Sequence, residues 1–420
     1  DIDFVATIPV AAVSESKNIY NTLKLFAQQD NDDIEKSMIL LNVNWLDEAR
    51  SDLEKSDNIL RTMAEIDRAR KDFPHLRIAT IEREYNRESV EKTGGVIGYV
   101  AQDLQSAALL WLQQQIENGK RSPSQDAIIQ RYDADIRGIS KHAWQDIRRA
   151  SSKYPETDIF KGVTRFGTDQ YEKYPGFGVT AEVVTTIDML GARDGYIGTG
   201  GANFGVRASS LAAINGVGDA SSYSGAGSDD AGIGERIYRV RGQSDGRVVG
   251  RLVAGSTVDT DAQRLITAYT NGRQWQSVWN IDGQPGSFSD GSGAYIPRTA
   301  GQSSRQKRNE KLSNKSLKIF ELNMSAALSY ASPEHRTRAL SLVFKNTPGA
   351  YTLEDTDDGK VKFELTKAGR QYIKRYLRGD KRNGPPYDLP FGTRKRNQLY
   401  GRPYENSRGD GHGSGALIPA

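Results

Sequence analysis

The first 135 residues alternate short apolar, β-rich runs with long stretches of helical period, and this constrains the fold more than any other feature of the chain. FVATIPV (4–10), SMILLNVN (37–44), LRIATI (76–81) and AIIQRY (127–132) have the length and side-chain types of buried strands. Pro9 is expected to confine the first of these to a strand end. Between the runs, Ser14 or Ser16 is placed to cap a helix whose apolar face is Ile19, Tyr20, Leu23, Leu25 and Phe26. Residues 47–72 read as one long, charged helix with Leu53, Ile59, Leu60, Met63 and Ile66 on roughly one side, and Gly94-Gly95 opens another through Leu104, Ala108, Leu109 and Leu112. Strands alternating with helices predict the α/β class, a mainly parallel sheet with helices on both faces. Ligands of such sheets bind outside the carboxyl ends of the strands.

The fourth run ends in Tyr132-Asp133-Ala134-Asp135. On an extended chain the two carboxylates fall on one side. Like charges there repel and are costly to desolvate, and a hard cation removes the problem. Mg2+ and Mn2+ prefer oxygen ligands and share carboxylates with substrate phosphates. A bare Asp-x-Asp is also a common solvated turn, so the surroundings decide. Asp229-Asp230 lies about 95 residues on, and Asp230, Ile233 and Arg236 are spaced as on one helical face. At a helix N-terminus the macrodipole favours an ionised Asp230, which suits a general base; simple N-capping is the plainer reading. Asp259 or Asp261, in Val258-Asp-Thr-Asp-Ala262, can add a third carboxylate or cap a helix. Trp275 and Trp279 offer flat aromatic faces to a ligand or pack internally.

Hydrophobic residues make up 37% and charged residues 26% of the chain, outside the disordered class. There is no cysteine, which excludes disulfides and thiolate metal sites. The four histidines are scattered, so a histidine-rich metal site is not expected. No run of 18 apolar residues predicts a transmembrane segment, and the start has no signal-peptide core; the expected location is cytoplasmic. Residues 191–250 hold 15 glycines, the composition of a set of surface loops or of a loop collar around a site. Residues 301–400 hold 21 Lys/Arg against 10 Asp/Glu, whereas residues 1–300 carry a balance of −7.

These shifts divide the chain into a front region at 1–280 (halves 1–135 and 136–280), a linker at 281–310, a basic, mostly helical extension at 311–383 and an irregular tail at 384–420. Residues 362–370 and the Tyr/Ile/Tyr/Leu helix after them resemble the wing and last helix of winged-helix DNA-binding proteins. That leaves nucleic-acid or partner binding as an alternative, homo-oligomer formation included. Asp355, Asp357 and Asp358 among the basic residues weigh against nucleic acid.

Several further stretches fall in a familiar order: Ile8-Pro9-Val10, then Glu15 and Leu23-Lys-Leu-Phe-Ala-Gln28-Gln29, Lys92-Thr-Gly94-Gly95, Asp133-Ala-Asp135, residues 198–218, and Asp229-Asp230 with Ile233 and Arg236. Over about residues 4–240 the chain resembles the nucleotide-sugar glycosyltransferases of the GT-A (Rossmann-like) fold, close to glycosyltransferase family 2. The resemblance implies transfer of a sugar from a UDP- or GDP-sugar to a hydroxyl of a glycan, small molecule or lipid-linked acceptor, with Mn2+ or Mg2+ on Asp133 and Asp135 and, as a third ligand, Asp259 or Asp261. It implies Pro9, Val10, Glu15, Asn44, Lys92 and Asp133 for the donor, and Asp230 as the base of an inverting reaction. Gly200, Gly201, Asn203, Asp229, Arg236 and Trp275 fall to the acceptor. The chain departs from the family where Asn42-Val-Asn44 replaces a nucleoside-binding aspartate, in Asp-Asp for Glu-Asp, and in lacking the Gln-x-x-Arg-Trp of processive synthases. Tyr132-Asp-Ala-Asp-Ile136 is also similar to retaining synthases of the mannosylglycerate type, so stereochemistry stays open.

Overall fold

The computed structural model describes residues 2–88, 96–166, 176–178, 180, 181, 183, 202–216, 231–237, 239, 240, 249–261, 314–329, 331–344, 347–357 and 360–377. β1 (Phe4–Ala11) pairs in parallel with both β2 (Ser37–Leu46) and β4 (Ile128–Arg131), and β3 (Ile78–Tyr85) pairs in parallel with β2. The sheet continues through β7 (Phe204–Arg207), β6 (Ile159–Phe166) and β8 (Gly250–Thr260) to β5 (Ile136–Ile139), in the order β3-β2-β1-β4-β7-β6-β8-β5. β7 runs antiparallel to both neighbours, β6 and β8 are parallel, and β5 is antiparallel to β8. This is an α/β fold with a mixed, mostly parallel sheet.

Both faces of the sheet are covered, which is why β1 and β2 read as unbroken apolar runs. On one face Phe4, Ala6, Ile8 and Val10 pack with α1 (Ile19–Phe26), α3 (Leu53–Asp72) and α5 (Ala143–Lys153). On the other, Val5, Leu40 and Ile129 pack with α4 (Val96–Glu117), α6 (Ala208–Ala213) and α7 (Ala231–Ile237). A short α2 (Asn31–Glu35) leads into β2.

Several boundaries differ from expectation for identifiable reasons. β1 continues two residues past Pro9. The odd-numbered Asp3 and Thr7 turn their carbonyls to β4, so Pro9 lacks its N–H on the side where β4 has already ended at Arg131, and no ladder bond is lost. Neither Ser14 nor Ser16 caps α1; a 3-10 turn at Glu15–Lys17 intervenes and Asn18 takes the cap position. The expected helix over 47–72 is a 3-10 turn, Asp47–Ser51, followed by α3, whose N-cap Asp52 accepts from the Lys55 amide. In α3, Ile59 and Ile66 are buried, but Leu53 and Leu60 are 91% and 67% exposed. β3 runs on through Glu82-Arg83-Glu84 because it is an edge strand, needing only backbone pairing with β2 while its charges face water.

The basic extension contains α8 (Asn314–Ser329), α9 (Pro333–Val343), the hairpin β9 (Tyr351–Asp355)–β10 (Val361–Leu365), and α10 (Lys367–Leu377). Leu317, Phe320, Met324, Phe344, Phe363 and Ile373 belong to its core. The outer edge of β10 is not left open. Its amides at 361, 363 and 365 donate to Ser329 Oγ (2.9 Å), Ser325 Oγ (2.9 Å) and Glu321 Oε1 (3.1 Å) of α8. Residues four apart on a helix rise about 6 Å, close to the two-residue step of a strand at about 6.6 Å, so one helical face reads alternate amides of the edge.

The expected linker at 281–310 and tail at 384–420 lie outside the described residues. Among the described residues no helix is long and apolar enough to cross a membrane.

Candidate functional site

β4 and β5 are joined by residues 132–135 alone, yet β7, β6 and β8 lie between them in the sheet. Four strand spacings amount to about 19 Å. Five Cα steps reach about 17 Å when fully extended, and this connection turns at Ala134-Asp135. The sheet therefore curls, bringing β5 back against α1: Thr22 Oγ1 donates to the Ala134 carbonyl at 2.7 Å. The curl is built into β8. Gly162 and Val163 of β6 pair with Val253 and Thr257, leaving Ala254–Ser256 as a bulge that bends the strand.

Asn203 pins that bulge. It is fully buried, with φ +72°. Its Nδ2 donates to the carbonyls of Val163 (3.2 Å) and Ser256 (3.0 Å), and its Oδ1 accepts from Gln130 Nε2 (3.0 Å) and Ser256 Oγ (3.2 Å). The expected acceptor residue is thus committed inside the sheet, tying β4, β6 and β8 together.

The curl places the end of β8 against the Asp-x-Asp segment. Strand β4 stops at Arg131 and the chain turns at Ala134-Asp135, so the two aspartates do not lie along one strand. Asp135 is buried and accepts from Thr260 Oγ1 at 3.1 Å; Asp133 is half-buried. Thr260 stands between the two candidate third ligands. Strand alternation turns Asp259 to the face opposite Thr260, where it lies over Gly138, at which a Cβ would sit 3.1 Å from Oδ2; Asp261 follows the end of β8. Among the described residues no three His, Cys, Asp or Glu side chains gather as a metal site.

Beneath this turn, Tyr132 is fully buried with its ring 5.0 Å from Phe26. Burial pushes the phenol well above its ordinary range. The Trp144 indole N–H opposes that rise as the smaller effect, and both Tyr132 Oη and Trp144 Nε1 are buried.

The other expected residues are distributed as follows. Pro9 and Val10 lie at the carboxyl end of β1, Pro9 half-buried and Val10 buried. Glu15 is buried and accepts from Asn18 Nδ2 at 2.8 Å. Asn44 is buried and donates to the carbonyls of Val10 and Asn42, both at 3.0 Å, holding β1 to β2. Arg236 of α7 donates to the carbonyls of Ile214 (3.1 Å) and Gly216, closing the end of α6. Lys92, Gly200, Gly201, Asp229, Asp230 and Trp275 lie outside the described residues.

The sequence reading did not single out Thr260, Gln130 or the glycines that admit the buried amides. A threonine between two aspartates carries no signal of its own until β8 is known to face the turn.

In the extension, the exposed sides of the hairpin carry Glu354, Asp355 and Glu364 beside Lys362. Lys362 lies 3.1 Å from Glu364, and Arg336 of α9 is 2.7 Å from Asp355. The described face is thus mixed in charge and has no run of unopposed cations for a phosphate backbone.

No protein-family model matches the chain, and no curated protein matches it. Solved structures do. S. aureus TarS is 11% identical, with 87% of this chain and 59% of that one covered and a TM-score of 0.35. TarS 1-349 in complex with UDP is 12% identical, covering 87% and 97% at TM-score 0.37. Glucosyl-3-phosphoglycerate synthase from Mycobacterium tuberculosis, in complex with Mn2+, UDP and phosphoglyceric acid, is 13% identical over 62% of this chain and 70% of that one, at TM-score 0.31. The present chain thus spans less than two thirds of the first of these.

Proposed function

We propose that the chain is a divalent-metal-dependent glycosyltransferase that moves a sugar from a nucleotide-sugar to a hydroxyl acceptor with inversion. The observation that carries this reading is the Asp133-Ala134-Asp135 turn at the carboxyl end of the central parallel strand β4, with Asp135 held by Thr260. Carboxyl ends of parallel strands are where such folds bind ligands, and the ordered motifs of residues 4–240 supply the substrate class.

The donor set fits Mg2+ or Mn2+. Both side chains offer hard carboxylate oxygens, and these ions complete their shells with substrate phosphates and water rather than with a full protein cage. Asp133 and Asp135 would hold the ion, which when bound supplies electrostatic stabilisation of the leaving nucleoside diphosphate. The ends of β1 and β2 at Pro9, Val10 and Asn44 would form the floor of the nucleoside pocket, and Lys92 would neutralise phosphate charge. Asp230, immediately before α7, would take the proton of the acceptor hydroxyl as its oxygen attacks the anomeric carbon.

Calorimetric titration with UDP and GDP in Mn2+ tests the first half of the reading. Saturable binding lost in Asp135→Asn is expected; no binding of either nucleotide counts against it. A panel of nucleotide sugars then tests chemistry, with the anomeric configuration of the product read by NMR. Asp230→Asn should keep donor binding and lose transfer by at least about a hundredfold. Normal transfer by that variant, or a retained anomer, would remove the assignment of Asp230 as base.

A further inference from the structure

Two buried cations stand in one cross-strand row beside the Asp-x-Asp turn. Arg131 of β4 pairs with Phe204 of β7, and Phe204 pairs on its other side with Lys161 of β6. Arg131 and Lys161 are each 8% exposed and Phe204 is 2% exposed.

The three share a face. Ile129, two residues before Arg131, packs in the core on the α4 side, as do Phe204 itself and the Ile159 and Val163 that bracket Lys161. Lys161 Nζ lies 5.9 Å from the Phe204 ring centroid, as expected for adjacent side chains of one face. Ile233 and Ile237 of α7 pack in the same core. The row is also at the edge of this part of the sheet: Arg131 is the last residue of β4, two before Asp133, and Phe204 is the first residue of β7.

Lysine and arginine are among the residues least often buried, and their desolvation is expensive. An apolar pair at these positions would extend the Ile129–Val163 face at no such cost. Both cations have other partners in the fold, so they are tolerated there; their place beside a carboxylate turn is what calls for a use. Adjacent antiparallel partners are about 5 Å apart, which separates the two backbones by about 10 Å. Side chains of that reach can meet across the ring of Phe204 on a group the size of a phosphate.

We propose that Arg131 and Lys161 form an oxyanion-recognition pair that takes a phosphate-type group, carried either by the donor as its diphosphate or by an anionic acceptor. The pair deepens the glycosyl-transfer reading and rests on it for these two sources. Arg131 supplies planar, forked donors suited to bidentate contact with phosphate oxygens, and Lys161 supplies a point charge opposite.

The test uses the full chain, with pyrophosphate and inorganic phosphate as probes in the presence of EDTA, and compares wild type with Arg131→Gln and Lys161→Gln by calorimetry. The wild type should bind pyrophosphate without metal, and each substitution should weaken binding about tenfold or more. UDP with Mn2+ separates the sources. Weakened nucleotide binding in the variants assigns the pair to the donor. Intact nucleotide binding with lost phosphate binding assigns it to the acceptor. A wild type that binds pyrophosphate through this pair but binds no nucleotide leaves the pair standing and removes the glycosyl-transfer reading. Variants that bind pyrophosphate as the wild type does, or a wild type that binds neither probe, overturn the proposal. If the neutral variants do not fold, Arg131→Lys and Lys161→Arg decide it: unchanged pyrophosphate affinity in both would overturn it, and a loss about tenfold in either supports it.

Discussion

Asn203 occupies the space above Gly162 so closely that a Cβ on Gly162 would lie 2.1 Å from Asn203 Nδ2. The glycine and the amide are one device: the missing side chain admits the amide, and the amide bonds the bulged carbonyls of β6 and β8. Gly205 plays the same part for Gln130, whose Oε1 would stand 2.4 Å from a Cβ there.

Gly162→Ala should therefore destabilise the fold by about 1–3 kcal/mol through overpacking. Asn203→Ala removes the amide and also leaves a residue at positive φ, whereas Asn203→Gly relieves the backbone but not the lost bonds. Urea unfolding should rank wild type above Asn203→Gly and Asn203→Gly above Asn203→Ala, the last two separated by about 1 kcal/mol. A Gly162→Ala midpoint equal to wild type would show that the amide has somewhere else to go.

Thr260→Val keeps the shape of the β8 end and deletes the hydroxyl that donates to Asp135. Second-layer hydrogen bonds orient metal ligands, and their loss commonly costs about tenfold in metal affinity. Mn2+ titration followed by electron paramagnetic resonance should show that weakening in Thr260→Val and near-normal binding in Thr260→Ser. Equal affinity in wild type and Thr260→Val would separate Thr260 from the metal.

Tyr132 carries a pH prediction. Burial raises its folded pKa above the unfolded value, so its stabilising contribution is complete below the unfolded pKa of about 10 and is lost as pH rises beyond it. Tyr372, pushed up to about 12 by burial, acts in the same direction. Thermal melts should fall steeply above pH ~10, and Tyr132→Phe should flatten that fall. At pH ~7 the same substitution removes a buried hydroxyl whose one neighbouring donor is the Trp144 indole, and it should change stability by no more than about 1 kcal/mol. A steep alkaline loss retained in Tyr132→Phe would point to another group.

The C-terminal unit is expected to be sensitive at two small residues. Ser325→Ala leaves the Phe363 amide without its 2.9 Å acceptor on the buried edge of β10, a loss of about 1–3 kcal/mol. Gly369→Ala places a Cβ 1.8 Å from the Ala350 carbonyl oxygen, and backbone cannot yield as a flexible side chain does. Limited proteolysis should cut both variants between residues 314 and 377 faster than wild type. Wild-type resistance in Gly369→Ala would mean that α10 can shift without loss.

The local elements of the front half follow from the order of residues alone. Apolar runs at 4–10, 37–44 and 127–132 had to be strands because both faces of their sheet are covered, and the 3.6-residue period before β4 had to be a helix. That order also pointed to Asp133 and Asp135 as candidates for chemistry, because a carboxylate pair follows a buried strand in an ordered series of motifs. Register and curvature were decided only by tertiary structure. Strand β3 continues through Glu82-Arg83-Glu84 because an edge needs no apolar face, and no local pattern says which strand will be an edge. Asn203 read as an acceptor contact in a glycine-rich stretch; it is a buried pin because Gly162, 41 residues away, leaves room for it. Thr260 reaches Asp135, and Arg131 shares a row with Lys161, because the sheet curls and pairs strands that are distant in sequence. Such contacts depend on long-range pairing, which the period of a single segment does not encode.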